Sequence, residues 1–250
     1  RDLHYPLRRQ RQMCIRDSTY TGYPIVRQMK DMIKNGVIGK IQKVDMQYYQ
    51  GWINPIIHDK SQRNSVWRLD PKKAGISSCI GDIGTHAYHM LEYLTDMKVK
   101  EVLADLNHLY DDNELDIDGT VLIRFSNHSK GVIRASQIAT GEENNFSVAI
   151  YGDKGALKWS QENPNYATFS QVGEASQIIT RGGSIKVEGS EANVRIPAGH
   201  PEGYLEAFAQ IYSDAADVIQ NKENKKEILK MLPNIDDGLH IMKFINATVD

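Results

Sequence analysis

The residues best suited to chemistry in this chain are Asp82 and His86, which lie four positions apart in the segment Gly81–His86. The pattern predicts a helix that begins there and runs to Thr95. Residues i and i+4 share one helix face, so the carboxylate and the imidazole would point into the same space. A carboxylate beside a histidine is a general acid/base pair near neutral pH. On these residues alone, a capped helix start with a hydrogen-bonded histidine is the alternative.

Five further residues are candidates for a binding pocket around that pair. Aromatic rings can pack on the apolar surface of a ligand, and a guanidinium offers several donors to its oxygen atoms. Each candidate also has a plainer interpretation, such as a packing tyrosine, an ion-paired arginine, an outward-facing strand glutamine or a histidine at a helix entry. The five candidates are Tyr20, Trp67, Arg68, Gln137 and His200.

Composition excludes several classes of protein. The 250 residues carry a net charge of -2, which argues against a nucleic-acid binder, and no apolar run approaches the roughly 18 residues of a membrane span. The two cysteines, Cys14 and Cys79, share no motif, which favours a reducing compartment, and we expect the cytoplasm. His86 and His89 have no further ligands at zinc spacing, so we expect no metal site.

The first 17 residues differ from the rest of the chain. They contain five arginines and no lysine, and they lack both a usable periodicity and the apolar core of a signal peptide. We expect residues 1–17 to be a non-native or disordered leader. A basic tail for an anionic partner is the alternative.

The order of predicted elements indicates an α+β protein. A helix and a strand are followed by a long polar excursion at 52–75, a second helix, a run of strands joined by hairpins, and two final helices. The predicted strands are 40–50, 99–109, 119–125, 131–138, 145–151, 156–160, 167–171, 177–180 and 184–187, and the later helices are 201–218 and 235–247. Such a run of strands is typical of an open, mostly antiparallel sheet with helices covering one face. The other face is then free to meet a partner domain or a second subunit.

From Ser18 to the end, the chain resembles the C-terminal domain of the Gfo/Idh/MocA oxidoreductases. The passages that carry the resemblance are Thr21-Gly22-Tyr23-Pro24, Asn35-Gly36-Val37-Ile38-Gly39-Lys40-Ile41, Trp67-Arg68, Gly81-Asp82-Ile83-Gly84-Thr85-His86, and Ile150-Tyr151-Gly152-Asp153-Lys154-Gly155-Ala156-Leu157. The resemblance implies the open sheet of a glyceraldehyde-3-phosphate dehydrogenase-like C-terminal domain. It also implies that His86 is the base or its relay, and that Asp82 orients His86 or binds a neighbouring hydroxyl.

The chain departs from the family pattern in one major respect. It has neither a Gly-x-Gly-x-x-Gly after a strand nor the Glu-Lys-Pro motif whose lysine lies near the reacting carbon in the family. We therefore expect residues 18–250 to be a fragment without the N-terminal Rossmann domain, and NAD or NADP to be bound mainly by that missing domain. We also expect the isolated fragment to be inactive.

The function implied is the substrate-binding and proton-transfer half of an NAD(P)-dependent oxidoreductase acting on a CH–OH group of a sugar, polyol or inositol. We expect a small-molecule substrate, no nucleic-acid or membrane partner, and a homo-oligomer formed through the open sheet face. Two alternatives stay open: a non-catalytic dimerisation or interaction domain, and a lyase or isomerase that uses the same pair without a cofactor.

Overall fold

The computed structural model describes residues 19–183, 194–220 and 225–250. Its centre is one eight-stranded sheet. The strands are β1 (Ile41–Tyr49), β2 (Val99–Asn107), β3 (Asp118–Phe125), β4 (Lys130–Ser136), β5 (Asn145–Gly152), β6 (Gly155–Ser160), β7 (Tyr166–Gln171) and β8 (Gln177–Thr180). The predicted leader at 1–17 and the predicted strand at 184–187 lie outside the described residues.

The strands lie in the order β2-β3-β4-β1-β5-β6-β7-β8. β1 and β4 are parallel, and every other neighbouring pair is antiparallel. The prediction of an open, mostly antiparallel sheet is confirmed. Side chains alternate along each strand, so Val44, Met46 and Tyr48 of β1 are buried on the helix side.

One feature of the predicted topology is wrong: β4 and β5 do not form a hairpin, because β1 lies between them. The connection at 137–144 therefore crosses the end of β1, where Ala139 N donates to Gln50 O and Gly51 N donates to Glu142 O. A Cβ on Gly51 would lie only 2.6 Å from the Ala139 carbonyl oxygen, so the crossing requires a glycine. Local turn signals could not reveal this long-range pairing.

Helices cover one face of the sheet. Helix α5 lies on β1, α8 lies on β2, and α1 packs against α5, which encloses the larger apolar core. The described helices are α1 (Pro24–Lys34), α2 (Asn54–Ile57), α3 (Lys60–Ser65), α4 (Pro71–Ala74), α5 (Thr85–Thr95), α6 (Tyr204–Ile219), α7 (Lys225–Met231) and α8 (Ile235–Val249). None of these described helices has both the length and the apolar character needed to cross a bilayer.

The excursion at 52–75 contains short helices that the sequence did not predict. It contains α2, α3, α4 and a 3₁₀ turn at Trp67–Leu69, and it has an apolar cluster of its own that includes Ile53, Ile57 and Ile117. Asp59 and Asp70 accept backbone hydrogen bonds from the first turns of α3 and α4. These helices are too short to produce a recognisable period, and their contact with Ile117 is long-range.

The core contains one histidine that burial keeps neutral. His89 of α5 is buried, and loss of hydration lowers its pKa from 6.5 to about 4; the nearby charge of Asp237 opposes this shift, and that of Lys30 adds to it. In the unfolded chain the same imidazole takes up its proton near pH 6.5. The unfolded state therefore binds more protons than the folded state between these two pH values.

We expect the free energy of unfolding to fall by about 3 kcal/mol as the pH is lowered from 7 to 4 through this residue alone. Urea unfolding at a series of pH values measures the effect. In His89→Gln the loss between pH 6.5 and 4 should shrink by about that amount, whereas His108→Gln, at an exposed position, should leave it unchanged. Identical pH slopes in the wild type and His89→Gln would contradict the assignment.

Candidate active site

A cavity of about 520 Å³ opens where β1 ends and α5 begins. It is lined by aromatic, amide and charged side chains from elements far apart in the sequence. The lining residues are Tyr20, Tyr48, Gln50, Trp52, Arg68, Asp82, Ile83, His86, Asn144, Gln161 and Tyr204. The structure thus brings four of the predicted site residues, Tyr20, Arg68, Asp82 and His86, into one pocket.

The helix that carries Asp82 and His86 does not begin as a regular α-helix. Residues Ile80–Gly84 form a π-helical turn, in which Thr85 N donates to Ile80 O, and α5 follows directly. Such turns are rare and are frequent at functional sites. Asp82 lies in the wider turn and His86 lies in the first turn of α5, and both side chains line the cavity.

A buried carboxylate holds this turn in place. Asp116 accepts hydrogen bonds from Ser78 N at 2.8 Å and from Ile80 N at 2.7 Å, and its own side chain is almost fully buried. Ser77 Oγ accepts a third backbone hydrogen bond, from Gly81 N at 2.8 Å. These contacts satisfy the amides that every helix start leaves without an intrahelical partner. Asp116 was not among the predicted site residues, because no local motif links it to a helix 36 residues earlier.

Two donors hold the carboxylate of Asp82. Arg68 Nε lies 3.0 Å and Gln137 Nε2 lies 3.1 Å from Asp82 Oδ2. Gln137 is fully buried and also accepts from Ser78 Oγ. It therefore lies behind Asp82. Contrary to the expectation from the sequence, it does not line the pocket.

Arg68 lies between two indole rings. Its guanidinium carbon is 4.6 Å from the ring centroid of Trp67 and 5.7 Å from that of Trp52. Trp67 is 50% exposed and does not line the cavity, whereas Trp52 does. Trp67 thus supports Arg68 from outside, and Trp52 supplies the aromatic wall that was predicted for Trp67.

Two tyrosines adjoin the imidazole of His86. The ring centroids of Tyr20 and Tyr48 lie 5.2 Å and 6.2 Å from that of His86. The hydroxyl oxygens of the two tyrosines are 2.5 Å apart. Burial raises the pKa of Tyr48, and the Tyr20 side chain and the Asp82 carboxylate raise it further. Tyr48 therefore stays protonated at neutral pH and acts as a hydrogen-bond donor.

The position of Tyr20 depends on a buried ion pair. Arg27 of α1 bonds Asp214 of α6 at 2.5 Å and donates through Nε to Thr21 O at 3.0 Å. A Cβ on Gly22 would lie 2.3 Å from the Ala207 carbonyl oxygen, so the turn that carries Tyr20 lies directly against α6. These contacts join the start of the described chain to a helix nearly 190 residues later.

His200 lies outside the cavity. Its carbonyl oxygen accepts a hydrogen bond from Arg181, which also forms a buried ion pair with Glu202 at 2.9 Å. Tyr204, the first residue of α6, lines the cavity instead. Within the described part of the chain, no group of three or more His, Cys, Asp or Glu residues could hold a metal ion.

A family model and a bacterial protein match this chain. The family model described as GFO/IDH/MocA C-terminal domain matches residues 26–158. An uncharacterized oxidoreductase of Bacillus subtilis (strain 168) is 33% identical over 235 residues, which are 92% of this chain and 60% of that protein. The chain thus spans about 60% of the length of this relative.

Solved structures have a similar fold. An oxidoreductase from Sinorhizobium meliloti has a TM-score of 0.80 and 38% identity, over 93% of this chain and 60% of that one. An inositol dehydrogenase homolog from Azotobacter vinelandii, complexed with NAD+, has a TM-score of 0.83 and 26% identity, over 93% of this chain and 61% of that one. The Azotobacter homolog is also known in complex with NADH and myo-inositol.

We expect Asp116→Asn to lower the free energy of unfolding by about 2–3 kcal/mol. The asparagine side chain keeps only one acceptor oxygen, and its NH2 group would lie against a backbone N–H from which Asp116 now accepts. Denaturant unfolding checks this. Asp111→Asn is the matched control at an exposed position and should change little. Equal stability of the two variants would mean that Asp116 does not hold the start of the helix.

Proposed function

Because the chain belongs to the Gfo/Idh/MocA oxidoreductase family, we propose that it is the substrate-binding and proton-transfer part of an NAD(P)-dependent dehydrogenase. The reaction is oxidation of a CH–OH group of a sugar, polyol or inositol. The observation that carries this proposal is the presence of Asp82 and His86 in one cavity with Arg68, Trp52 and two tyrosines.

Oxidation of a carbinol removes a hydride from carbon and a proton from oxygen. In this proposal His86 accepts the hydroxyl proton, since an imidazole titrates near neutral pH. Asp82 binds a neighbouring hydroxyl or orients the substrate toward His86, and Arg68 and Gln137 keep its carboxylate in one position. Geometry of this kind turns a bimolecular proton transfer into an intramolecular one.

The charge of the cavity supports an uncharged substrate. Arg68 is the one arginine or lysine among the described residues that line it, and its charge is paired with Asp82 at 3.0 Å. A phosphorylated sugar would need cations that are not already paired. Trp52 and Tyr204 supply apolar faces for the C–H surface of a ring. One structure of the Azotobacter homolog contains NAD+, and another contains NADH and myo-inositol. These complexes support the same substrate class.

The nicotinamide ring would accept the hydride when the cofactor is bound. The described residues of this cavity include no glycine-rich turn at a helix start of the kind that binds a pyrophosphate. We therefore propose that NAD or NADP is held mainly by sequence outside this chain. The relative's greater length supports this.

A reducing compartment, the cytoplasm, fits the free and buried thiol of Cys79.

We also propose that the open face of the sheet joins two copies of the chain. Leu103 and Leu122 are paired across β2 and β3 on this face, and they are 69% and 52% exposed. Ile178 of β8 is 71% exposed at the far end of the same row of paired residues. Large apolar side chains exposed at both edges of this face support a role in protein–protein contact.

We expect His86→Ala to lower kcat at least about 100-fold in the full-length protein, as for loss of an acid/base group. NAD(P)H absorbance with a panel of sugars and inositols measures turnover. His108→Ala, at an exposed position that does not line the cavity, is the matched control and should be unaffected. Unchanged turnover in His86→Ala would remove His86 from the mechanism and reopen a non-catalytic role.

We expect the double variant Leu103→Lys, Leu122→Lys to dissociate the oligomer, because two lysines in each copy would then lose their hydration at the interface. Light scattering during gel filtration measures the mass. Val172→Lys adds a charge at an equally exposed apolar position in the β7–β8 turn and should leave the mass unchanged. An oligomer that survives the double variant would exclude this face as the interface.

A further inference from the structure

Three uncharged amides line the same cavity from the edge of the sheet. Gln50 follows β1, Asn144 precedes β5 and Gln161 follows β6, and these three strands are neighbours in the sheet. We call these three residues the amide row. Asp82 and His86 come from the helix above the sheet, so the cavity has a row of amides and an acid/base pair on different elements.

Hydrogen bonds within the row determine how each amide is turned. Asn144 Oδ1 accepts from the hydroxyl of Tyr48 at 2.7 Å and from Gln50 Nε2 at 2.9 Å. Asn144 Nδ2 donates to Gln161 Oε1 at 2.9 Å, and Gln161 Nε2 donates to the hydroxyl of Tyr23 at 3.4 Å. Rotating one amide alone by 180° would oppose like groups, so the three amides are turned as a set.

This arrangement leaves donors for a ligand. A side-chain amide nitrogen carries two N–H groups, and each nitrogen of the amide row uses one of them in the network. Among the described residues, the second N–H groups have no protein acceptor, and Gln50 Oε1 has no protein donor. The row therefore offers three donors and one acceptor in a cavity that already holds the acid/base pair.

Resting on the proposed function, we propose that the amide row is the subsite for ring hydroxyls remote from the carbon that is oxidised. A hydroxyl is both donor and acceptor, so it matches a row of N–H groups with one amide oxygen. The absence of charge on the row favours neutral hydroxyls over a carboxylate or phosphate. The row thus determines which polyols bind, whereas Asp82 and His86 act at the reacting carbon.

Protonated Tyr48 connects the amide row to the residues around His86. Its one proton goes to Asn144 Oδ1, so its oxygen accepts from the hydroxyl of Tyr20, whose ring contacts His86. Burial raises the pKa of Tyr48, which preserves this donor across neutral pH.

The test uses the full-length protein with NAD+ and NADP+, and with myo-inositol, D-glucose and their monodeoxy analogues. In Gln161→Met and Gln50→Met, which keep side-chain length, we expect KM for the fully hydroxylated substrate to rise about 10-fold or more, with kcat changed less than about 3-fold. The penalty that the wild type imposes on an analogue lacking a remote hydroxyl should disappear. Gln171→Met, exposed at the end of β7, is the matched control.

Failure of the proposed reaction is distinguishable from failure of the subsite. If the wild type oxidises none of these polyols, calorimetry with the same compounds gives the binding preference directly, and weaker binding by Gln161→Met but not by Gln171→Met supports the subsite. The subsite is overturned if both row variants keep the wild-type ratio between each polyol and its deoxy analogues. A loss of kcat at unchanged KM, or no binding of any compound, overturns it as well.

Discussion

The site depends on one buried carboxylate. Asp116 lies just before β3 and accepts two backbone hydrogen bonds from the start of the helix that carries Asp82 and His86. The amides at a helix start must find partners, and a charged acceptor in the protein interior is a strong one. Through this contact the sheet fixes where the helix begins, and hence where the carboxylate and the imidazole lie above it.

A second constraint is the insertion of β1 between β4 and β5. The connection between those two strands must cross the end of β1, and the absence of a side chain at Gly51 allows the close approach. The crossing brings Gln137 behind Asp82 and places Asn144 beside Gln50. One topological feature thus supplies both the support of the acid/base pair and the amide row that faces it.

Much of the fold was predictable because its signals are local. Alternation along the strands and the period of α1, α5, α6 and α8 identified these elements to within a few residues. The short helices of the excursion at 52–75 and helix α7 were missed, since a helix of one or two turns has no readable period. The pairing of β1 with β4 was missed because strand order depends on contacts between distant segments.

The site residues also divide into those with a local sequence signal and those positioned by long-range contacts. The sequence by itself determined that Asp82 and His86 lie one helical turn apart, because that spacing is local. It also identified Tyr20 and Arg68, which the structure brings into the same cavity.

Only the tertiary structure decided which candidates line the cavity. Trp52 and Tyr204 line it, whereas Trp67 and His200 lie outside it. The position of Gln137 behind Asp82 was also decided by the tertiary structure. The same holds for Asp116 and the amide row. The physical reason is that these residues are positioned by hydrogen bonds and strand neighbours far away in the sequence, and no local pattern encodes which of several candidate side chains those contacts select.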